Sequence, residues 1–232
     1  MKTGFVKANV NIPGNKYYKY HGLNRSCDIQ PDPDPLIGFP ISPPYGPEKY
    51  IEIKASAISG FQTDDTNYLV AHNKASATSF NYSIGQRKWA YNGRYYVYRV
   101  FIIFNTSTLT SSAKIESAKM QLVYAGSMID RAFKLIIQNG QPVYPHNPIS
   151  LSDYNYMYYS GDGGSLSSSS LNSPIWVLND DGINWINTSG LTKLVIRSNY
   201  DISAGSPSGG ENMTINPVYD YSKLKIYYRL PL

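Results

Sequence analysis

Apolar and polar residues alternate with a period of two along much of this chain, in short runs separated by Gly, Ser, Asn and Pro. Ile51, Ile53, Ala55 and Ala57 alternate with Glu52, Lys54 and Ser56. Ala118, Met120, Leu122 and Tyr124 alternate with Lys119 and Gln121, and Phe133, Leu135 and Ile137 with Lys134 and Ile136. In an extended strand such alternation sends one set of side chains to a core and the other to water. Tyr95 to Phe104, dense in Tyr and β-branched residues, is the strongest strand signal. Further strands are predicted at 175–178, 191–197, 212–215 and 223–228. One helical turn is predicted at 182–188, with Asp180 or Asp181 as its cap. Eight or more short strands, each with one polar face, predict an all-β fold: a jelly-roll-like two-sheet antiparallel β-sandwich.

The N-terminal part reads differently. Val6, Ala8, Val10 and Ile12 alternate with Lys7, Asn9 and Asn11, so residues 1–12 form a predicted extended strand. Eight of the fifteen prolines follow before residue 48. Proline fixes φ and removes a donor, which excludes helix and central strand. Residues 13–48 are therefore predicted to be a semi-rigid Pro-rich linker, and residues 49–232 the β-sandwich domain. An isolated strand has neither hydrogen-bond partners nor a core of its own, so Val6, Ala8, Val10 and Ile12 must dock. They return to the edge of their own domain, add to a sheet of the neighbouring copy, or stay a disordered terminus, and the second arrangement builds a head-to-tail filament.

Composition narrows the function classes. The 232 residues are 16% charged and include 22 Tyr, a balance suited to strands and turns and not to helical bundles. The net charge is +5, yet no window gathers four basic residues, so nucleic acid is not an expected partner. The single cysteine, Cys27, forms no intramolecular disulfide and no Cys-based zinc site. No apolar run reaches the roughly 18 residues of a membrane span, and Met1 to Asn11 has no signal-peptide type apolar region.

Two stretches carry a family likeness. Arg99-Val-Phe-Ile-Ile-Phe-Asn-Thr-Ser-Thr-Leu109 and Ala113-Lys-Ile-Glu-Ser-Ala-Lys-Met-Gln-Leu-Val-Tyr124 resemble the strand, turn and strand of DNRLRE-type β-sandwich domains. A weaker likeness, to uncharacterised environmental and phage β-rich surface proteins, runs through Ile137 to Pro142, Tyr158 to Gly164, Ile183 to Ile186 and Leu194 to Ser198. The resemblance implies a jelly-roll-like module of extracellular and virion proteins, related to carbohydrate-binding modules for acidic polysaccharides. Its matching residues are framework positions, so it speaks to fold more than function.

No catalytic motif is present: neither Gly-x-Ser-x-Gly, His-Glu-x-x-His nor a phosphate-binding glycine loop occurs. Asp64-Asp65 and Asp180-Asp181 read as turn and cap residues, and Asp162-Gly-Gly as a tight turn. His21, His72 and His146 have no metal-ligand spacing, so no metal and no cofactor are expected. Aromatic rings stack on sugars and basic groups pair with uronic carboxylates. Trp89 and Tyr91, beside Arg87, Lys88 and Arg94, are thus candidate glycan contacts, together with Tyr154, Tyr156, Tyr158 and Tyr159. Asn-x-Ser/Thr sequons at Asn24, Asn81, Asn105, Asn187 and Asn212 are candidate N-glycosylation sites.

The expectation is a non-enzymatic structural or adhesive protein, extracellular or at a cell or virion surface. In it, copies join through Val6, Ala8, Val10 and Ile12 into a filament or surface assembly. The alternatives are a carbohydrate-binding module recognising a polysaccharide and a phage virion fibre or decoration protein. The expected partner is the protein itself, with a polysaccharide on the alternative reading, and there is no membrane span.

Overall fold

The computed structural model describes residues 44–232. The expected assembly strand Val6, Ala8, Val10 and Ile12, the sequon Asn24 and most of the linker lie outside the described residues. The described residues form an all-β fold in which every strand pairing is antiparallel.

Strand β1 (Lys49–Asp65) is 17 residues long and serves two sheets. Lys49 to Lys54 pair with β12 (Lys223–Arg229), which pairs with β5 (Lys114–Gln121) and then β9 (Ile175–Val177). After an irregularity between Ala55 and Ala57, the rest of β1 pairs with β4 (Tyr95–Asn105). The other edge of β4 is divided. Tyr95 to Tyr98 pair with β3 (Ser83–Lys88), which continues to β11 (Gly210–Asn216) and β6 (Val123–Ile129). Val100 to Asn105 pair with β10 (Leu191–Ser198), which continues to β7 (Lys134–Asn139) and β8 (Ser165–Ser167). The two-residue β2 (Ser79–Phe80) lies against β1.

Alternation fills the main core as the sequence predicts. Ile53, Ala118, Met120, Leu224 and Ile226 from the first sheet share one cluster with Val100, Ile102, Phe104, Leu194 and Ile196 from the second. Trp176 of β9 is fully buried there, and its indole N–H donates to the Leu135 carbonyl of β7 at 3.0 Å.

Three local expectations change. The 118–124 run is two strands, because buried Leu122 marks the point where the chain leaves β5 for β6 in the other sheet. The helical turn is α2 (Asp180–Asn184), and its cap is Asn179, whose side chain accepts the Gly182 N–H, so Asp180 and Asp181 fall in the first turn. Pairing also begins inside the predicted linker: Gly46 donates to the Leu230 carbonyl, and the Pro44 carbonyl accepts from Leu232. A proline without a donor still accepts at a sheet edge.

The opposite face of β4 is covered by loops. Phe61, Val97, Phe101 and Val195 form a second cluster with Tyr68 and Ala71 of α1 (Tyr68–His72) and with Tyr154 and Tyr159. At its centre are three buried charges. Asp201, in α3 (Asn199–Ile202), takes a bidentate pair from Arg99 at 2.7 and 2.8 Å and a third bond from Arg197 at 2.6 Å. Arg99 also donates to the carbonyls of Tyr154 and His72, and Arg197 to those of Asp201 and the Gln138 side chain. Burial works to raise the Asp201 pKa, but Arg197 and Arg99 reverse this and hold the carboxyl far below its ordinary range.

Two outcomes are expected. Trp176→Ala loses a full ring and a sheet-to-sheet hydrogen bond and should cost about 3–5 kcal/mol by urea unfolding. Asp201→Asn leaves two buried guanidiniums without their carboxylate and should cost ~3–5 kcal/mol at pH 7. Because the folded pKa lies below an unfolded value of about 3.9, this stabilisation is complete above that value and is lost as pH falls beneath it. Urea midpoints between pH 2 and 7 should therefore show a steeper acid loss in the native protein than in Asp201→Asn.

Candidate functional site: an aromatic groove on the divided sheet

Tyr96 and Tyr98 alternate in step with Val100, Ile102 and Phe104, whose side chains enter the main core. Where β4 turns from β10 to β3, the same face becomes the wall of a groove of about 580 Å³. Register sets its floor. Gln62, Tyr98, Gly85, Asn212 and Met128 are successive cross-strand neighbours across β1, β4, β3, β11 and β6. Ser83 and Thr214 form the next row, their hydroxyls 2.9 Å apart.

Gly85 lets β3 approach β11 closely beneath the groove. Its φ is +119°, and a Cβ there would lie 2.2 Å from the Glu211 carbonyl oxygen. Only glycine accepts both that conformation and that approach.

The aromatic wall is built on the turn between β3 and β4. Trp89 N–H donates to the Arg94 carbonyl, Gly93 N–H to Trp89, and the Asn92 side chain accepts from Arg94 N–H. Arg94 is tied to Asp64 at 2.6 Å, a bond that raises the arginine pKa. Trp89, 41% exposed, packs 5.9 Å from Tyr96, and Tyr96 stacks nearly parallel to Tyr98 at 6.3 Å. The Arg87 guanidinium sits 4.2 Å from the Trp89 ring centre. Burial pushes the Tyr98 phenol up to about 12, so it stays a neutral hydrogen-bonding group at physiological pH. Across the groove, Asn81 donates to the Gln62 side chain at 2.8 Å. Trp89 and half-buried Tyr96 offer ring surface to this concavity, and buried Tyr98, Ser83 and Asn212 line it with little exposed area.

The six aromatic residues expected to contact glycan do not come together. Trp89 lines the groove, whereas Tyr91 stands 93% exposed at the turn. Tyr154 is fully buried on the opposite face of β4, its ring against Arg99 and its hydroxyl donating to the Val97 carbonyl. Tyr159 is also buried, beside Phe101. Half-buried Tyr156 lies over the Arg99 and Arg197 guanidiniums, and Tyr158 stacks on Tyr144 at 3.8 Å. The 154–159 segment is a cover for the second cluster, and its rings have packing partners in place of an open face. Tyr96, Tyr98 and Gln62 line the groove without having stood out in the sequence, and Asn81 and Asn212, marked there as sequons, line it as well.

The remaining candidates are simple to place. Asn105 and Asn187 are exposed, and each side-chain oxygen accepts from the serine two residues on. Asn81 is half-buried and Asn212 buried, both within the groove. His72 is buried, its Nε2 donating to the Asp201 carbonyl at 2.7 Å, and His146 pairs with buried Asp153 at 2.7 Å. Asp162 accepts from Gly164 N–H in the expected turn. Among the described residues, no group of three or more His, Cys, Asp or Glu is placed to hold a metal ion, and no helix is long and apolar enough to cross a membrane.

No protein-family model and no curated protein matches this chain. Among solved structures, the cryo-EM structure of Mud crab tombus-like virus aligns with 94% of this chain and 93% of that chain, at 8% identity and a TM-score of 0.29. A likeness that slight carries no argument about function.

Gly85→Ala should cost about 1–3 kcal/mol of stability, since the added methyl meets backbone and the conformation is strained. The shift in thermal midpoint measures it, and an unchanged midpoint would mean that β11 yields freely at the groove floor.

Proposed function

We propose that this protein is a non-enzymatic glycan-recognition domain that binds polysaccharide in the groove of Trp89, Tyr96 and Tyr98. The observation that carries the reading is the grouping of aromatic rings with Gln62, Asn81, Asn212, Ser83 and Thr214 around one concavity. A pyranose has apolar C–H faces and a rim of hydroxyls, so rings supply the contact area and amides the directional hydrogen bonds. Among the described residues the lining contains no carboxylate pair of the kind that glycoside hydrolysis uses, which favours binding over cleavage. Arg87 on the Trp89 ring adds a site for a uronic carboxylate. This role belongs at a cell or virion surface, where polysaccharide is met.

Screening on a glycan array should find ligands whose binding falls at least tenfold in Trp89→Ala, consistent with losing about 1.4 kcal/mol or more of contact. Tyr91→Ala should bind like the native protein. Equal binding by both variants would remove the groove from consideration.

A second reading, self-association by strand addition, is favoured by the free edge of β6. Its seven residues pair with β11 on one side and, among the described residues, with no strand on the other. Met128 and Ile129 are exposed there, and an open edge is a template for another chain. Deleting residues 1–12 should abolish any filaments or large oligomers seen by negative-stain microscopy and light scattering. Assemblies that persist in the deletion would exclude Val6, Ala8, Val10 and Ile12 as the joining strand.

A further inference from the structure

The antiparallel register gathers on one sheet face charges that are scattered along the chain. On the outward side of β1–β12–β5, Glu52, Lys225 and Lys119 form one cross-strand row, and Lys54, Lys223 and Gln121 the next. Tyr50, Tyr227 and Ser117 form a third, with Arg229 opposite Lys114 beyond it. At one end of the face Tyr45 lies against Lys114, its ring centre 5.5 Å from the ammonium.

Of the six cations Lys54, Lys114, Lys119, Lys223, Lys225 and Arg229, five are ion-paired, and they share three acids. Glu52 is shared by Lys223 and Lys225, Glu116 by Lys114 and Arg229, and Asp220 pairs with Lys54. The excess of three accounts for three of the chain's five net charges. The other two belong to residues 1–43, where five cations accompany three aspartates, so the rest of the domain is neutral. The Tyr50 ring, 62% exposed, and the Tyr227 ring lie 6.0 Å apart, with the Lys225 ammonium 4.4 and 5.3 Å from their centres.

We propose that this face binds single-stranded nucleic acid, its lysines taking the phosphates and Tyr50 and Tyr227 the bases. Charge complementarity requires an acidic occupant. A second copy of the face and the cationic segment 1–43 are both of the same sign. The face is open where a duplex would need an element entering a groove, and a single strand can lie across a sheet and turn its bases onto aromatic rings. Ser117 and Gln121 are few neutral groups for the hydroxyl pairs of a polysaccharide, whereas six cations suit a backbone with a charge at every unit.

The test is fluorescence anisotropy of the full chain with a labelled 20-nucleotide oligo(dT), alongside a 20-base-pair duplex and polygalacturonate. Oligo(dT) should bind most tightly, with log affinity falling against log salt by about 0.7 per phosphate contacted. The triple variant Lys119→Gln, Lys223→Gln, Lys225→Gln should weaken it at least tenfold. Tyr50→Ala with Tyr227→Ala should weaken it on the order of tenfold, as loss of base stacking does, and Trp89→Ala should leave it unchanged. The proposal is overturned by no oligo(dT) binding, by loss of binding in Trp89→Ala, or by polygalacturonate binding as tightly while the tyrosine variant is unaffected. The last result would make the face a general acidic-polymer surface.

Discussion

One buried carboxylate, Asp201, organises the half of the molecule that the main core does not reach. It neutralises one of the two guanidiniums that meet there, and main-chain carbonyls and a side-chain amide take up much of what remains. A buried ion cluster of this kind is a weak source of net stability, since desolvation offsets most of the attraction. Its effect is positional. Arg99 comes from β4, Arg197 from β10, Asp201 from the helix after β10, and the accepted carbonyls from the α1 and 154–159 loops. Any other arrangement of these segments strands a charge away from water, so one arrangement of the loops is selected.

Strand β4 is the divide between this region and the rest. Its even-numbered side chains run from the groove, Tyr96 and Tyr98, into the main core at Val100, Ile102 and Phe104, while Val97, Arg99 and Phe101 face the loop cover. The strand is flanked by β3 over its first half and β10 over its second, and the groove opens where those neighbours part. A groove built this way is backed by the second cluster on the far face of β4. The Trp89 turn is further fixed by its own hydrogen bonds and by the Arg94–Asp64 pair. Rigid support of that kind limits the entropy a site loses when it closes on a ligand.

The two aromatic groups singled out in the sequence show how local reading divides. Trp89, in a short turn between two strands, remains open because a tight turn has nothing beyond it to pack against. The Tyr154 to Tyr159 run is likewise aromatic, yet its rings are used up by Arg99, Phe101 and Tyr144. Nothing within the six residues distinguishes exposed from buried, because the partners are 50 or more positions away for Arg99 and Phe101. The basic face is a parallel case. Lys54, Lys119 and Lys223 are far apart in the chain and adjacent in the sheet, so a window along the sequence sees dispersal where the fold makes a patch.

The sequence by itself determined the strands whose alternation is regular and the main core they fill. The period of two is a local property, and burying one face of every strand leaves little freedom in which side chains turn inward. It also marked Asp162 as a turn and a helical turn at 182–188, close to where α2 forms at Asp180–Asn184. Only the tertiary structure decided that β1 serves two sheets, that Leu122 breaks one predicted strand into two, and that Ser83 to Lys88 is a strand despite lacking alternation around Gly85. It alone decided that Arg99, Arg197 and Asp201 meet. Each of these depends on which distant strand becomes a neighbour, and strand pairing is set by the summed burial of the whole domain, which no local pattern contains.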